Sequence, residues 1–282
     1  MLTSFSNLTS VGRHLIESGV ENLVLNIGPE MIVCFGTREH IISPWSPFFM
    51  DAVPVMRIEC DLIIVLREDD CRRDHEVTDI VNRQATETLA FTAVVHRLDA
   101  VRQALRENSR FFITACNMGV LLYGNARLLE GHISVLPEWE DVDLLHAQWS
   151  RWFGLSTHFF KSAVEQISHG WYTLAVFMLR QAVEHTCIAV VRVWMGYRPS
   201  THNLVRLLQL MANFSSEVNK IFPRFTNEEC RLFRVLQKAY TDARYNEVYN
   251  VSLEDITTLV NRIMALQELA ELFYYRKVNA LY

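Results

Sequence analysis

Residues 159–184 read Phe159-Phe-Lys-Ser-Ala163-Val-Glu-Gln-Ile-Ser-His-Gly170-Trp-Tyr-Thr-Leu-Ala175-Val-Phe-Met-Leu-Arg180-Gln-Ala-Val-Glu184. Apolar residues recur at helical spacing on both sides of Gly170, and the glycine marks the break between two helices. The second of these continues as the most apolar window of the chain, Trp171–Val193. Arg180, Gln181, Glu184, His185 and Arg192 interrupt that window, so it reads as a buried bundle helix and not as a membrane span. The same periodicity runs to the end of the chain. It predicts helices near 145–168, 171–195, 202–215, 226–245 and 252–277, separated at Gly170, Gly196-Tyr-Arg-Pro199 and Ile221-Phe-Pro223. Ser200 or Thr201 is placed to cap the third helix, Thr226 the fourth and Ser252 the fifth. Thr226-Asn-Glu-Glu229 and Ser252-Leu-Glu-Asp255 both fit a capping box.

Upstream of about Asp143 the pattern is different. Met31-Ile-Val-Cys-Phe35, Leu62-Ile-Ile-Val-Leu66 and Leu89–Val95 are apolar, largely β-branched runs of strand length. Ser10–Gly28 reads as a helix or turn with an apolar end. A helix follows near Asp74, then Leu98–Arg106, Phe111–Met118 and a last short strand, Val120–Tyr123. Pro44, Pro47 and Pro54 make 38–56 an irregular insertion. Strands alternating with helices predict an α/β domain over 1–130, joined by a polar linker at 131–146 to an all-α bundle over 147–282.

With 50% hydrophobic residues the chain has material for two cores and is not disordered by composition. Residues 1–146 carry 12 basic against 21 acidic residues, and 147–282 carry 15 against 11. The acidic first half argues against extended nucleic-acid binding there, while the second half permits it. Cysteines 34, 60, 71, 116, 187 and 230 form no CxxC pair and no zinc-site spacing, and read as free thiols. The start of the chain has no basic stretch leading into an apolar run, so a cytoplasmic location is expected.

Two constellations carry chemistry. In the first, strand 31–35 leads into Gly36-Thr37 and Arg38. Glu59 and Asp61 flank Cys60 just ahead of the next strand, where residues i and i+2 share a face. Two carboxylates on one face can chelate Mg²⁺ or Mn²⁺. Equally, they can be solvated residues at a strand entrance. The arrangement resembles the minimal nucleotidyltransferases, whose motif is a Gly-Ser turn, a spacer and Asp-h-Asp. That resemblance implies nucleotide binding by Gly36, Thr37 and Arg38 and metal binding by Glu59 and Asp61. Thr37 stands for the family's Ser and Glu59 for its first Asp. The spacer is long, and the following strand carries no third acid, with Glu87 the nearest stand-in. Gly119-Val-Leu-Leu-Tyr123 resembles the strand that ends such heads.

The second constellation lies in 147–282. Ala163, Gly170-Trp-Tyr172, Ala175, Phe177, Leu179, Gln181-Ala182, Glu184, Gly196-Tyr197, Thr201-His202-Asn203-Leu204 and Asp242-Ala-Arg-Tyr245 together resemble the HEPN domains joined to nucleotidyltransferase heads. HEPN ribonucleases carry Arg-x(4–6)-His, in which Arg holds phosphate and His transfers protons. The resemblance puts Arg244 at the motif position, with Tyr249 where a His would stand, so RNA cleavage is disfavoured while phosphate binding stays open. Asp242 and His202 are candidate neighbours, His202 at a helix start where an anion could bind. Arg180-x(4)-His185 matches the motif literally, but five residues on a helix splay the two side chains by about 140°. It reads as an interhelical contact plus a core-edge histidine. Trp149, Trp152, Phe153, Phe159, Phe160, Trp171, Tyr172 and Phe177 read as core and interface.

These readings predict a nucleotide-binding and interaction protein with a degenerate nucleotidyltransferase head and an altered HEPN site. An active head transferring NMP from an NTP with Mg²⁺ or Mn²⁺, and a HEPN-type ribonuclease, are the alternatives. NTP or another nucleotide is the expected ligand, RNA is possible, and no membrane partner is expected. A homodimer is expected through Val190, Val191, Val193, Trp194 and Met195, which one neighbouring helix would not cover.

Overall fold

In the computed structural model, residues 5, 8–42, 55–130, 141–246 and 249–281 are described. The chain forms two compact units, Met1–Leu136 and Pro137–Tyr282. Most of the expected linker and residues 43–54 of the proline-containing insertion lie outside the described residues.

The first unit opens with α1 (Ser10–Ile27), whose N-cap Thr9 accepts from the Gly12 N–H; it stops at Gly28, which takes the left-handed φ of 63°. Strand β1 (Met31–Ile42) and strand β2 (Val55–Leu66) pair antiparallel. Helix α2 (Asp74–Arg83) crosses over to β3 (Leu89–Arg97), which is parallel to β2. Helices α3 (Leu98–Arg106) and α4 (Arg110–Met118) lead to β4 (Val120–Gly124), antiparallel to β1. The sheet order is β3-β2-β1-β4. Leu62–Leu66 is buried residue after residue, as befits an inner strand covered on both faces.

Two expectations are corrected here. The Gly36-Thr37 turn does not exist: β1 runs straight through it, with only a bulge between Cys34 and Gly36. Part of the irregular insertion is strand as well, since β1 extends to Ile42 and β2 begins at Val55. Ladder hydrogen bonds from Arg38–Ile42 to Val55–Glu59 satisfy the backbone there, which outweighs the turn propensity of a single glycine.

The second unit is helical: α5 (Val142–Ser168), α6 (Tyr172–Met195), α7 (Leu204–Ala212), α8 (Glu217–Ile221), α9 (Asn227–Tyr245) and α10 (Leu253–Asn279). α5 starts inside the expected linker, capped by Asp141. α6 is the core helix, packed against α5, α7, α9 and α10. Val190, Val191 and Val193 are therefore buried within one chain, and Trp194 and Met195 are half-buried, so most of the face expected to pair with a second copy is already covered. Where α5, α6 and α10 meet, the buried Ser156 hydroxyl lies 2.9 Å from the Ala182 carbonyl, 2.6 Å from Thr186 Oγ1 and 2.7 Å from Gln267 Nε2. Thr226 and Glu229 make the expected capping box on α9, and Ser252 caps α10. α7 is capped not by Ser200 or Thr201 but by Asn203, whose Oδ1 accepts from Val205 N at 2.9 Å. Thr201 instead bonds to Asn203 N, one turn too early to reach the helix.

Candidate functional site

In the α/β unit the ladder sets Arg38 of β1 directly opposite Glu59 of β2, and Gly36 opposite Asp61. Opposed residues share a face, so Arg38, Glu59 and Asp61 converge, and Gly36 puts no side chain over the Asp61 carboxylate. Arg38 Nε donates to Glu59 Oε2 at 3.2 Å, and its Nη1 and Nη2 donate to the two oxygens of Asp61 at 2.7 and 3.4 Å. Asp61 is 0% exposed. Arg57 Nε stands 3.7 Å from the other oxygen of Glu59. Burial opposes the charge on Arg38, but the charge and hydrogen bonds of Asp61, then of Glu59, outweigh it, and its pKa is raised.

The carboxylate pair thus exists on one face, as the sequence implies, but a guanidinium sits between its members. The neighbour of Asp61 on β3 is Thr92, which is neutral and buried. Glu87 is exposed in the turn before β3, five residues short of Thr92. Among the described residues no group of three His, Cys, Asp or Glu could hold a metal ion. These residues do not fit a catalytic Mg²⁺ or Mn²⁺. The donors are two carboxylates, and a unit positive charge already bridges them. Arg38 is committed to this bridge, and Gly36 and Thr37 form no phosphate-cradling turn.

In the helical unit the second set of residues gathers around α6 and α9. Arg180 and Glu184, one helical turn apart and both buried, form an ion pair. Arg180 also donates to the His202 carbonyl at 2.5 Å and to Gln181 Oε1 at 2.7 Å. The other Glu184 oxygen lies 2.7 Å from His202 Nδ1. A ring nitrogen facing a carboxylate carries the proton, which leaves Nε2 of the exposed His202 ring pointing away from the pair. His202 stacks on Tyr240 with ring centroids 6.3 Å apart and planes 4° apart. Arg180 and Arg244 place their Cζ atoms 4.6 and 4.2 Å from the same Tyr240 centroid. Arg244 is exposed, its Nε bonded to the Tyr240 carbonyl at 2.7 Å, and it also lies over Tyr245 and Phe177.

Arg244 and His202 therefore meet through Tyr240. Tyr249 does not join them: its hydroxyl donates to the Val235 carbonyl at 2.8 Å, and burial pushes its pKa up. A phenol turned into the bundle and bonded to a carbonyl of α9 offers nothing to an anion at Arg244. The Asp242 carboxylate accepts from the Thr241 hydroxyl at 2.9 Å. His185 is not a partner of Arg180; its Nδ1 is 2.8 Å from the Gln181 carbonyl and its ring lies against Trp152 and Phe159. Glu184 and Tyr240 were missed from sequence. Each stands four residues along a helix from an arginine of the site, and that spacing was the available signal.

Residues 149–272 match the family model of the HEPN domain. The helical unit carries a HEPN domain. Over the whole chain, a solved structure described as a nucleotidyltransferase-like protein from Exiguobacterium sibiricum is similar at 15% identity. The match covers 93% of this chain and 78% of that one, with a TM-score of 0.33. No curated protein gives a match. The imidazole stacked on Tyr240 is that of His202, from the α6–α7 connection and not from the end of α9.

Proposed function

We propose that this is a nucleotide-binding and interaction protein, with a nucleotidyltransferase-like head that performs no metal-dependent transfer and a ligand site in the HEPN domain. One observation carries the reading of the head. Arg38 bridges Glu59 and Asp61, the two residues that the resemblance assigns to the metal. A catalytic cation delivers charge that is open to substrate on its far side. A guanidinium with its donors turned to two carboxylates has little left to offer a triphosphate.

The ligand site proposed in the HEPN domain is built from Arg244, Tyr240 and His202. An exposed Arg can take a phosphate by two parallel hydrogen bonds, and Tyr245, 78% exposed, offers a face for a base. A second reading, RNA cleavage, is favoured by one feature. The His202 imidazole is held by Glu184 beside the ring that carries Arg244.

A screen of the four NTPs, with and without Mg²⁺ or Mn²⁺, tests the proposal. It predicts no NMP transfer to protein or RNA, and thermal stabilisation by nucleotide that needs no metal and weakens in Arg244→Lys. Robust transfer by the wild type, lost in Asp61→Asn, would overturn the reading of the head. RNA cleavage lost in both His202→Ala and Arg244→Ala would favour the second reading. Self-association, if light scattering shows it, is proposed through faces other than that of α6.

A further inference from the structure

Another face of α6 carries a second cluster. α5 and α6 run antiparallel, which brings Trp152 of α5 against α6. His185 and Arg192, seven residues apart, fall on one face of α6. His185 stacks on Trp152 at 5.8 Å, and Arg192 places its Cζ 5.0 Å from the same ring centroid. Arg151 adds its own Cζ at 5.6 Å. The charges acting on Arg192 are those of Arg198, just beyond the end of α6, and of Arg151. Burial first, then these two like charges, pull its pKa down. Its Nε is shielded from solvent and has no hydrogen-bond partner among the described residues.

Among the described residues no acid offsets this charge. On α5 the nearest acids to Arg151 are Asp143 and Glu165, at least two turns away. On α6 the only acid is Glu184, two turns from Arg192 and committed to Arg180 and His202. No carboxylate pairs with Arg151, Arg192 or Arg198 among the described residues. Without an acid among the described residues these guanidinium charges repel one another, and cation–π contact of Arg151 and Arg192 with a single indole offsets only part of that. The arrangement gains stability when an anion enters. Guanidinium forks match phosphate oxygens in particular.

We propose that Arg151 and Arg192, both placed over Trp152, form with the nearby Arg198 a phosphate-binding site of the HEPN domain, distinct from the one at Arg244. Arg192 and Arg180 are 12 residues apart on α6, about 18 Å along its axis, so the two places do not overlap. The ligand is a phosphate ester group, on a free nucleotide or on an RNA strand.

Thermal unfolding of the full chain with inorganic pyrophosphate at matched ionic strength, and anisotropy of a short labelled RNA, test this directly. The wild type is expected to be stabilised by pyrophosphate or to bind the RNA. Response to pyrophosphate alone identifies a free phosphate as the source; response to RNA alone identifies the strand. Arg192→Gln is expected to weaken that response roughly tenfold or more, as for the loss of one charge-assisted hydrogen bond. In anion-free buffer it should be at least as stable as the wild type, because it relieves repulsion. Arg198→Gln, at an exposed position, should weaken binding even if the Arg192 variant folds badly. The proposal fails if neither probe acts on the wild type, or if Arg198→Gln and Arg192→Gln both keep the full response.

Discussion

Replacing Arg38 by Met keeps most of the side-chain volume and removes the charge and three hydrogen bonds, at 3.2, 2.7 and 3.4 Å. Asp61 is then a fully buried carboxylate without its cation. Removing one member of a buried ion pair costs about 3–5 kcal/mol, because the remaining charge is stranded. Arg57 faces Glu59 and not Asp61, so it offsets little of this. For a unit of this size a kcal/mol corresponds to roughly 3–4 °C, which gives a fall of about 10–20 °C in the melting of the α/β unit. Circular dichroism with urea and heat measures it. Asp61→Asn in the same background removes the stranded charge, and the double variant should recover about half of the loss, a coupling of about 2 kcal/mol. A loss below about 1 kcal/mol for Arg38→Met, the value of an exposed ion pair, would refute the view that Arg38 is the built-in counter-ion of this site.

Three more outcomes are expected. The Arg72 guanidinium hydrogen-bonded to Asp70 holds that carboxyl down at about 2, against about 3.9 in the unfolded chain. The folded state therefore gains stability from Asp70 above about pH 4 and loses it as pH falls toward 2, and Asp70→Asn should flatten that part of an acid titration of stability. Thr226→Ala opens the capping box on α9 and should cost about 1 kcal/mol by chemical denaturation. Tyr249→Phe removes a hydrogen bond to the Val235 carbonyl, which lies within α9, should cost about 1 kcal/mol or less and leaves nucleotide binding unchanged, whereas a loss of binding would return Tyr249 to the site.

The two-part architecture was legible because its signals are periodic. Leu62–Leu66 could only be an inner strand, and the spacing either side of Gly170 could only be two helices. Gly36-Thr37 was misread because a glycine followed by a hydroxyl residue is a turn only if the ladder lets go. The partner strand, hidden behind three prolines, keeps it to Val55. The pairing of Glu59 with Asp61 was visible in their i, i+2 spacing. The role of Arg38 was not, since it depends on a register set by a bulge at Phe35. In the helical unit Arg244 was singled out by resemblance and His202 by its place at a helix start, and the fold brings both to Tyr240. The ring that joins them, Tyr240, had the look of packing, and Tyr249 was linked to Arg244 by sequence proximity, though its side chain points the other way. Long-range geometry decides such cases, and spacing along one element does not carry it.

A guanidinium lies between Glu59 and Asp61, where the resemblance would put a metal. Electron paramagnetic resonance of Mn²⁺ titrated into the wild-type protein, with and without ATP, measures it most directly. The free Mn²⁺ signal is expected to be undiminished by protein alone, and any loss with ATP to equal what ATP takes up by itself. Stoichiometric binding of Mn²⁺ by the wild type that disappears in Asp61→Asn would contradict it.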